Sequence, residues 1–183
     1  LVEKRKSLMS KEAVEQKLKK LGYSDAAVAA MLGNIAVETA DTFDYKTKQE
    51  GGPGYGLLQL DFLKPHYEKW KKQNKIKDSA DAQLRFFHDT VYGKSQDIIG
   101  AGNAAKLRNV LDTEENPAVV ADVLAKGWFK PNPERNPKYD ERAQYALQVS
   151  GYQPPVAAPT QPEPAWWENP LARAKNALGS LFD

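Results

Sequence analysis

The chain has 183 residues, 41% hydrophobic and 27% charged, with 26 Lys and Arg against 24 Asp and Glu. That length and balance predict one folded domain with a real core and a modest appendage, and a net charge of +2 gives no global argument for nucleic-acid binding. There are no cysteines, which excludes a disulfide scaffold and a thiol nucleophile without fixing the compartment.

No apolar run approaches the ~20 residues needed to span a bilayer. The opening Leu1-Val-Glu-Lys-Arg-Lys-Ser7 has basic residues but no apolar stretch behind them, so it does not read as a secretory signal. It lacks an initiator Met, and the chain reads either as a processed product or as a piece of something longer.

Helical signals dominate. Ser10 is placed to cap a helix carrying Val14, Leu18 and Leu21 and ending at Gly22. Ser24 is placed to cap a second, with Val28, Met31, Leu32 and Ile35 on one face. Residues 40–60 are rich in turn formers and predict a loop or short hairpin. Asp61 or Phe62 is expected to open a third helix, with Pro65 in its first turn. Asp78 is expected to cap a fourth, with Leu84, Phe87 and Val91 on one face, and a shorter piece covers roughly Ala104–Leu111.

Asn116-Pro117 reads as N-cap and first helical position of a helix ending at Gly127, and Asn136-Pro137 repeats the signal for one ending before Gly151. The intervening Lys130–Pro137 stretch, with three prolines, predicts an irregular loop. From Gln153 the composition turns proline-rich, then reaches Trp166-Trp167 and an amphipathic segment with Leu171, Ala174, Leu178, Leu181 and Phe182. The expected organisation is an N-terminal extension (1–9), a globular domain (10–152), a semi-extended linker (153–165) and a tethered arm (166–183).

Glu38 lies seven residues after Met31 and three after Ile35, so it extends the apolar stripe of the second helix. Loss of hydration there is expected to raise its pKa and keep it protonated near neutral pH. That is the form that protonates a glycosidic oxygen. The competing reading is a Glu38 that points past the helix end into water or caps a turn. Gly51, Gly52, Gly54 and Gly56 then fall within six residues, a backbone that a ligand can approach closely. Sugars suit such a surface, because exposed amides hydrogen-bond hydroxyl and N-acetyl groups. Tyr55 offers a ring for stacking, and Gln59 a donor and an acceptor. No Gly-Lys-Ser/Thr follows, which disfavours a phosphate loop.

Glu50 and Asp61 flank the glycines and are candidates to hold an attacking water opposite Glu38. Asp61 also reads as a helix cap, and Glu50 as a solvated loop acid. Asp41 and Asp44 rank lower, having no glycine platform of their own.

Gly33-Asn-Ile-x-x-Glu38 followed by Gly54-Tyr-Gly-Leu-Leu-Gln59 resembles the phage tail lysozyme family of the lysozyme-like superfamily. The run Gly54–Asp61 also resembles the goose-type lysozymes and the related lytic transglycosylases. Trp128-Phe-x-x-Pro-x-Pro-Glu-Arg135 and Arg142-Ala-x-Tyr145-Ala146 resemble the closing part of the phage family, and the likeness covers roughly residues 24–150. The resemblance implies a mainly α, lysozyme-like fold with a small hairpin beside the cleft. It implies cleavage between N-acetylmuramic acid and N-acetylglucosamine in peptidoglycan, with Glu38 as catalytic acid, Asp61 and Glu50 near the water, and Tyr55, Gly56 and Gln59 lining the cleft.

The resemblance further implies a virion or tail component acting at the cell wall. The arm itself reads as docking on a partner protein such as another virion protein, lying at a membrane surface, or folding back on its own domain, and the proline linker that spaces it from the domain favours the first. Two residues depart from it: Thr39 stands for the usual Ser, and Leu60 for a Trp often found after the glutamine. A lytic transglycosylase and a non-catalytic wall-binding virion part remain the alternatives.

No cofactor or metal is expected, since His66 and His88 sit in no zinc-ligand spacing. Lys64, Lys69, Lys71, Lys72, Lys75 and Lys77 read as a solvated helix face or as an attractor of anionic wall polymer. Phe86, Phe87 and Trp128 read as core.

Overall fold

Ser10 accepts a hydrogen bond from the Ala13 amide and opens α1 (Lys11–Lys20). Ser24 does the same for Ala27 and opens α2 (Asp25–Thr39). Each hydroxyl satisfies a backbone donor that a helix start leaves unpaired. In this computed structural model the described residues are 10–49, 52–131, 133–135 and 137–153. They continue with α3 (Lys64–Asn74), α4 (Ala80–Tyr92), a 3-10 turn (Gln96–Ile98), α5 (Ala101–Thr113), α6 (Pro117–Leu124), a π-helical turn (Ala125–Phe129), a second 3-10 turn (Pro133–Arg135) and α7 (Tyr139–Ser150).

The architecture is mainly α. Among the described residues the β content is one isolated antiparallel bridge, Lys48 to Tyr55, where the sequence predicts a loop or hairpin. The chain divides into two units at Tyr152 and Gln153. Apart from Gln153, the linker and arm expected from the sequence lie outside the described residues, as does the N-terminal extension.

The helix α2 is the hub. It packs against α1, α6 and α7, and every residue from Ala27 to Ala36 is buried. The single apolar face expected from the sequence is therefore an underestimate: a helix apolar nearly all round is one enclosed on all sides. Phe86, Phe87 and Trp128 are buried, and the Trp128 indole donates to the Thr90 hydroxyl at 3.0 Å. No helix among the described residues is long and apolar enough to cross a membrane.

Four boundaries differ from expectation, two of them for a tertiary reason. The third helix starts at Lys64, with Leu63 as its cap residue; Asp61 accepts from the Lys64 amide through its backbone carbonyl, not as a side-chain cap. Ser79, not Asp78, caps α4, because the Asp78 carboxylate is occupied by Tyr55 and Tyr67. Gly127 does not end the sixth helix. The chain passes through it as a π turn and stops at Lys130, whose backbone is left-handed (φ 46°). A Cβ on Gly127 would lie 2.9 Å from the Leu107 side chain, so this glycine admits α5. The last helix begins at Tyr139 without a side-chain cap, and Asn136 lies outside the described residues.

Tyr23 and His88 tie α4 to the start of α2, with the hydroxyl 3.1 Å from Nδ1. Burial lowers the His88 pKa, so folding favours the neutral ring. That contribution is complete above the unfolded value of about 6.5 and is lost as pH falls through the lower folded value. Denaturant melts at pH about 7 and about 5 are expected to differ less for His88→Gln than for wild type. An equal difference for both removes His88 as the cause.

Candidate active site

The last two turns of α2 bring three motif residues into one construction with α7. Gly33 is first: a Cβ there would lie 2.5 Å from the Arg142 carbonyl oxygen and 3.2 Å from the Ala146 amide. The two helices touch backbone to backbone at this point, and only a residue without a side chain permits it. Asn34 is fully buried. Its amide donates to the Ala30 carbonyl at 3.0 Å and to the Ala121 carbonyl on α6 at 3.1 Å, and its oxygen accepts from Arg142 Nη1 at 3.0 Å.

Glu38 completes the set. Arg142 Nη2 donates to Glu38 Oε1 at 2.6 Å, with side-chain exposures of 3% for the arginine and 14% for the glutamate. Arg142 Nε donates to the Pro137 carbonyl at 3.1 Å, and the guanidinium carbon lies 5.9 Å from the Phe129 ring centroid. The planar fork thus reaches three acceptors at once, which a lysine does not do. The apolar environment expected around Glu38 is in fact an ion pair. Arg142 holds Oε1, while among the described residues Oε2 takes no hydrogen bond.

The helix end is knotted by Thr39. Its hydroxyl donates to the Ile35 carbonyl at 2.8 Å and accepts from the Phe43 amide at 3.1 Å. The hydroxyl that survives the Ser-to-Thr departure therefore has a use. Ala40, Asp41 and Phe43 follow with positive φ of 48°, 59° and 50°. Left-handed backbone at three non-glycine residues is strain of the kind that clusters at functional sites. Asp41 accepts from the Tyr145 hydroxyl at 2.8 Å, one turn beyond Arg142. One helix, α7, thus supplies the partners of two acids at the end of α2. Asp44 accepts from the Lys46 amide.

The glycine segment has a different internal logic. Gly56 has φ +83°, and a Cβ on it would lie 2.3 Å from Gln83 Oε1. That oxygen accepts from the Leu57 amide at 2.8 Å, and the Gln83 amide donates to the Tyr45 carbonyl at 2.9 Å. Gly56 is small so that buried Gln83 can fasten the loop. Gly56→Ala is expected to lower stability by about 1–3 kcal/mol through clash and backbone strain together. Denaturant melts check it, and Gln83→Ala in the same chain should relieve the clash but not the strain.

Tyr55 donates to Asp78 at 2.5 Å, and Lys64 Nζ lies 5.0 Å from its ring centroid. Burial, then the Asp78 bond, hold its hydroxyl pKa well above the ordinary tyrosine range. Asp78 also accepts from Tyr67 at 2.7 Å. Gln59 has φ 44° and donates to the Gly56 carbonyl at 2.9 Å. Its Oε1 is the one buried side-chain polar atom without a partner among the described residues. Such an atom costs free energy unless a ligand satisfies it.

Asp61 is exposed, and its side chain takes no partner among the described residues. Glu50 lies outside them. None of Tyr55, Gln59 and Asp61 hydrogen-bonds to Glu38. Arg142, Asn34, Asp78 and Gln83 are the residues that sequence reasoning did not assign to the site. One signal existed for Arg142: it stands four residues before Ala146 on the buried face of α7, and a buried arginine requires a partner.

A comparison with curated proteins gives no match. The sequence model of the phage tail lysozyme family matches residues 10–152, which takes in α1 through α7, the glycine segment and both residues of the Glu38–Arg142 pair. The chain belongs to the phage tail lysozyme family, a family of lysozyme-like proteins that act on peptidoglycan.

Proposed function

We propose that the protein is a muramidase of the phage tail that cleaves the N-acetylmuramic acid–N-acetylglucosamine bond, with Glu38 as general acid. The observation that carries this reading is the Glu38 carboxyl: mostly buried, on the central helix, and among the described residues held by one oxygen only. A protonated carboxyl that accepts from Arg142 through Oε1 carries its proton on Oε2. That oxygen passes the proton to the glycosidic oxygen as the C1–O bond breaks. Water then attacks C1 and gives up its proton to a second carboxylate, Asp61 or Glu50. A carboxyl separation of about 6.5–9.5 Å gives inversion and about 5–5.5 Å retention. Tyr55, Gly56 and Gln59 line the sugar path. No cofactor takes part.

One observation favours a second outcome on the same bond. Asp61 is exposed and among the described residues its side chain is held by no partner, a loose anchor for a water. The substrate's own 6-hydroxyl then competes for C1, giving lytic transglycosylase products. Mass spectrometry of digested peptidoglycan separates the two, since 1,6-anhydro ends arise only by the second route. Clearing of a peptidoglycan zymogram tests the enzyme reading itself; binding to the wall with no clearing would leave a structural virion part. The arm at 166–183 is proposed to dock on another tail protein, and the site of action is the host cell wall.

A further inference from the structure

The segment after Gln59 turns one large aromatic outward. Leu60 and Leu63 are buried at 1% and 2% exposure, while Phe62 between them is 49% exposed. Scattered apolar residues on a surface are ordinary, and Val119, at 42%, is such a case. Phe62 differs in two respects. It follows the candidate acid Asp61 directly, and it has a charged partner from the other side of the chain: Lys130 Nζ lies 5.6 Å from its ring centroid.

Lys130 is placed for this by the fold. It ends the π turn in left-handed backbone, with its amide bonded to the Ala125 carbonyl at 2.7 Å, and π turns recur at functional sites. Its chain neighbour Phe129 packs under Arg142 at 5.9 Å, and Arg142 holds Glu38 at 2.6 Å. A continuous series of contacts therefore runs from Phe62 through Lys130, Phe129 and Arg142 to the proposed acid. Leu60, directly after Gln59, points into the core and offers no face to solvent.

We infer that Phe62, with Lys130 beside it, forms an outer sugar subsite: the ring stacks on one N-acetylated sugar of the glycan strand, and the ammonium donates to that sugar's carbonyl or carboxylate oxygens. This inference rests on the muramidase reading. An aromatic face suits the C–H face of a pyranose, and a nearby cation suits its acetyl and lactyl oxygens.

The test uses the full chain and two readouts. In steady-state digestion of purified peptidoglycan, Phe62→Ala raises KM about tenfold, the size of one good aromatic contact, with kcat changed less than about twofold. Phe62→Trp restores or lowers KM, and Phe62→Leu behaves like Phe62→Ala, because leucine keeps apolar bulk without a flat face. The second readout is calorimetric binding of N-acetylchitotetraose to Glu38→Gln with and without Phe62→Ala, which does not need turnover. Matching melting curves for the Phe62 variants show that the fold is intact. Wild-type KM and wild-type oligosaccharide affinity in Phe62→Ala overturn the subsite, as does a Phe62→Leu variant indistinguishable from wild type. A wild-type chain that binds the oligosaccharide through Phe62 but never cleaves the wall keeps the subsite and overturns the muramidase reading.

Discussion

The Glu38→Gln variant is expected to clear peptidoglycan about 10²–10⁴ times more slowly than wild type, the usual worth of a positioned general acid. Gln has nearly the same shape and still offers Arg142 Nη2 an acceptor, so the 2.6 Å contact is replaced by a weaker neutral bond. The change removes a proton donor without opening a cavity. Stability falls as well, by about 1–3 kcal/mol, because a charge-assisted bond at a buried arginine is lost. Zymography reads the first effect and thermal denaturation the second. Wild-type clearing by a folded Glu38→Gln protein would remove Glu38 from the chemistry.

Arg142→Leu is expected to produce the largest loss of stability, about 3–5 kcal/mol, seen as a drop in melting temperature of about 10 °C for a domain of this size. The guanidinium is 3% exposed and serves the Glu38 carboxyl, the Asn34 oxygen and the Pro137 carbonyl together. Removing it strands all three acceptors in a space closed by the α2–α7 contact. Part of the loss should return in the double variant Glu38→Gln/Arg142→Leu, which no longer buries an uncompensated carboxylate. A double variant as unstable as the sum of the two singles would show that the pair does not act as a unit. Arg142→Lys separates positioning from charge: it keeps the cation but not the fork. Its kcat should fall further than its KM rises, since the carboxyl loses orientation more than the substrate loses binding.

Asn34 and Gly33 show how a short motif can encode a tertiary contact. Read along the chain, Gly33 is a poor helix residue and Asn34 a polar interruption in an apolar run. In the fold, the first lets α7 approach and the second binds α6 and Arg142. Asp78 and Gln83 repeat the lesson for the glycine segment. Neither belongs to a recognisable motif, yet the loop geometry depends on their bonds to Tyr55, Leu57 and Tyr45.

What the chain determines locally was legible. Ser10, Ser24 and Asn116 cap their helices through bonds to amides two or three residues away, so a short window contains the whole interaction. The apolar stripe of α2 likewise announces one buried face, though not that the helix is enclosed all round, and the two motifs announce the family. What only the tertiary structure decided is the company Glu38 keeps. Arg142 is 104 positions distant, and no periodicity links the two. They meet because α7 crosses α2 at Gly33, and the energy of their pairing exists only once that crossing has excluded water.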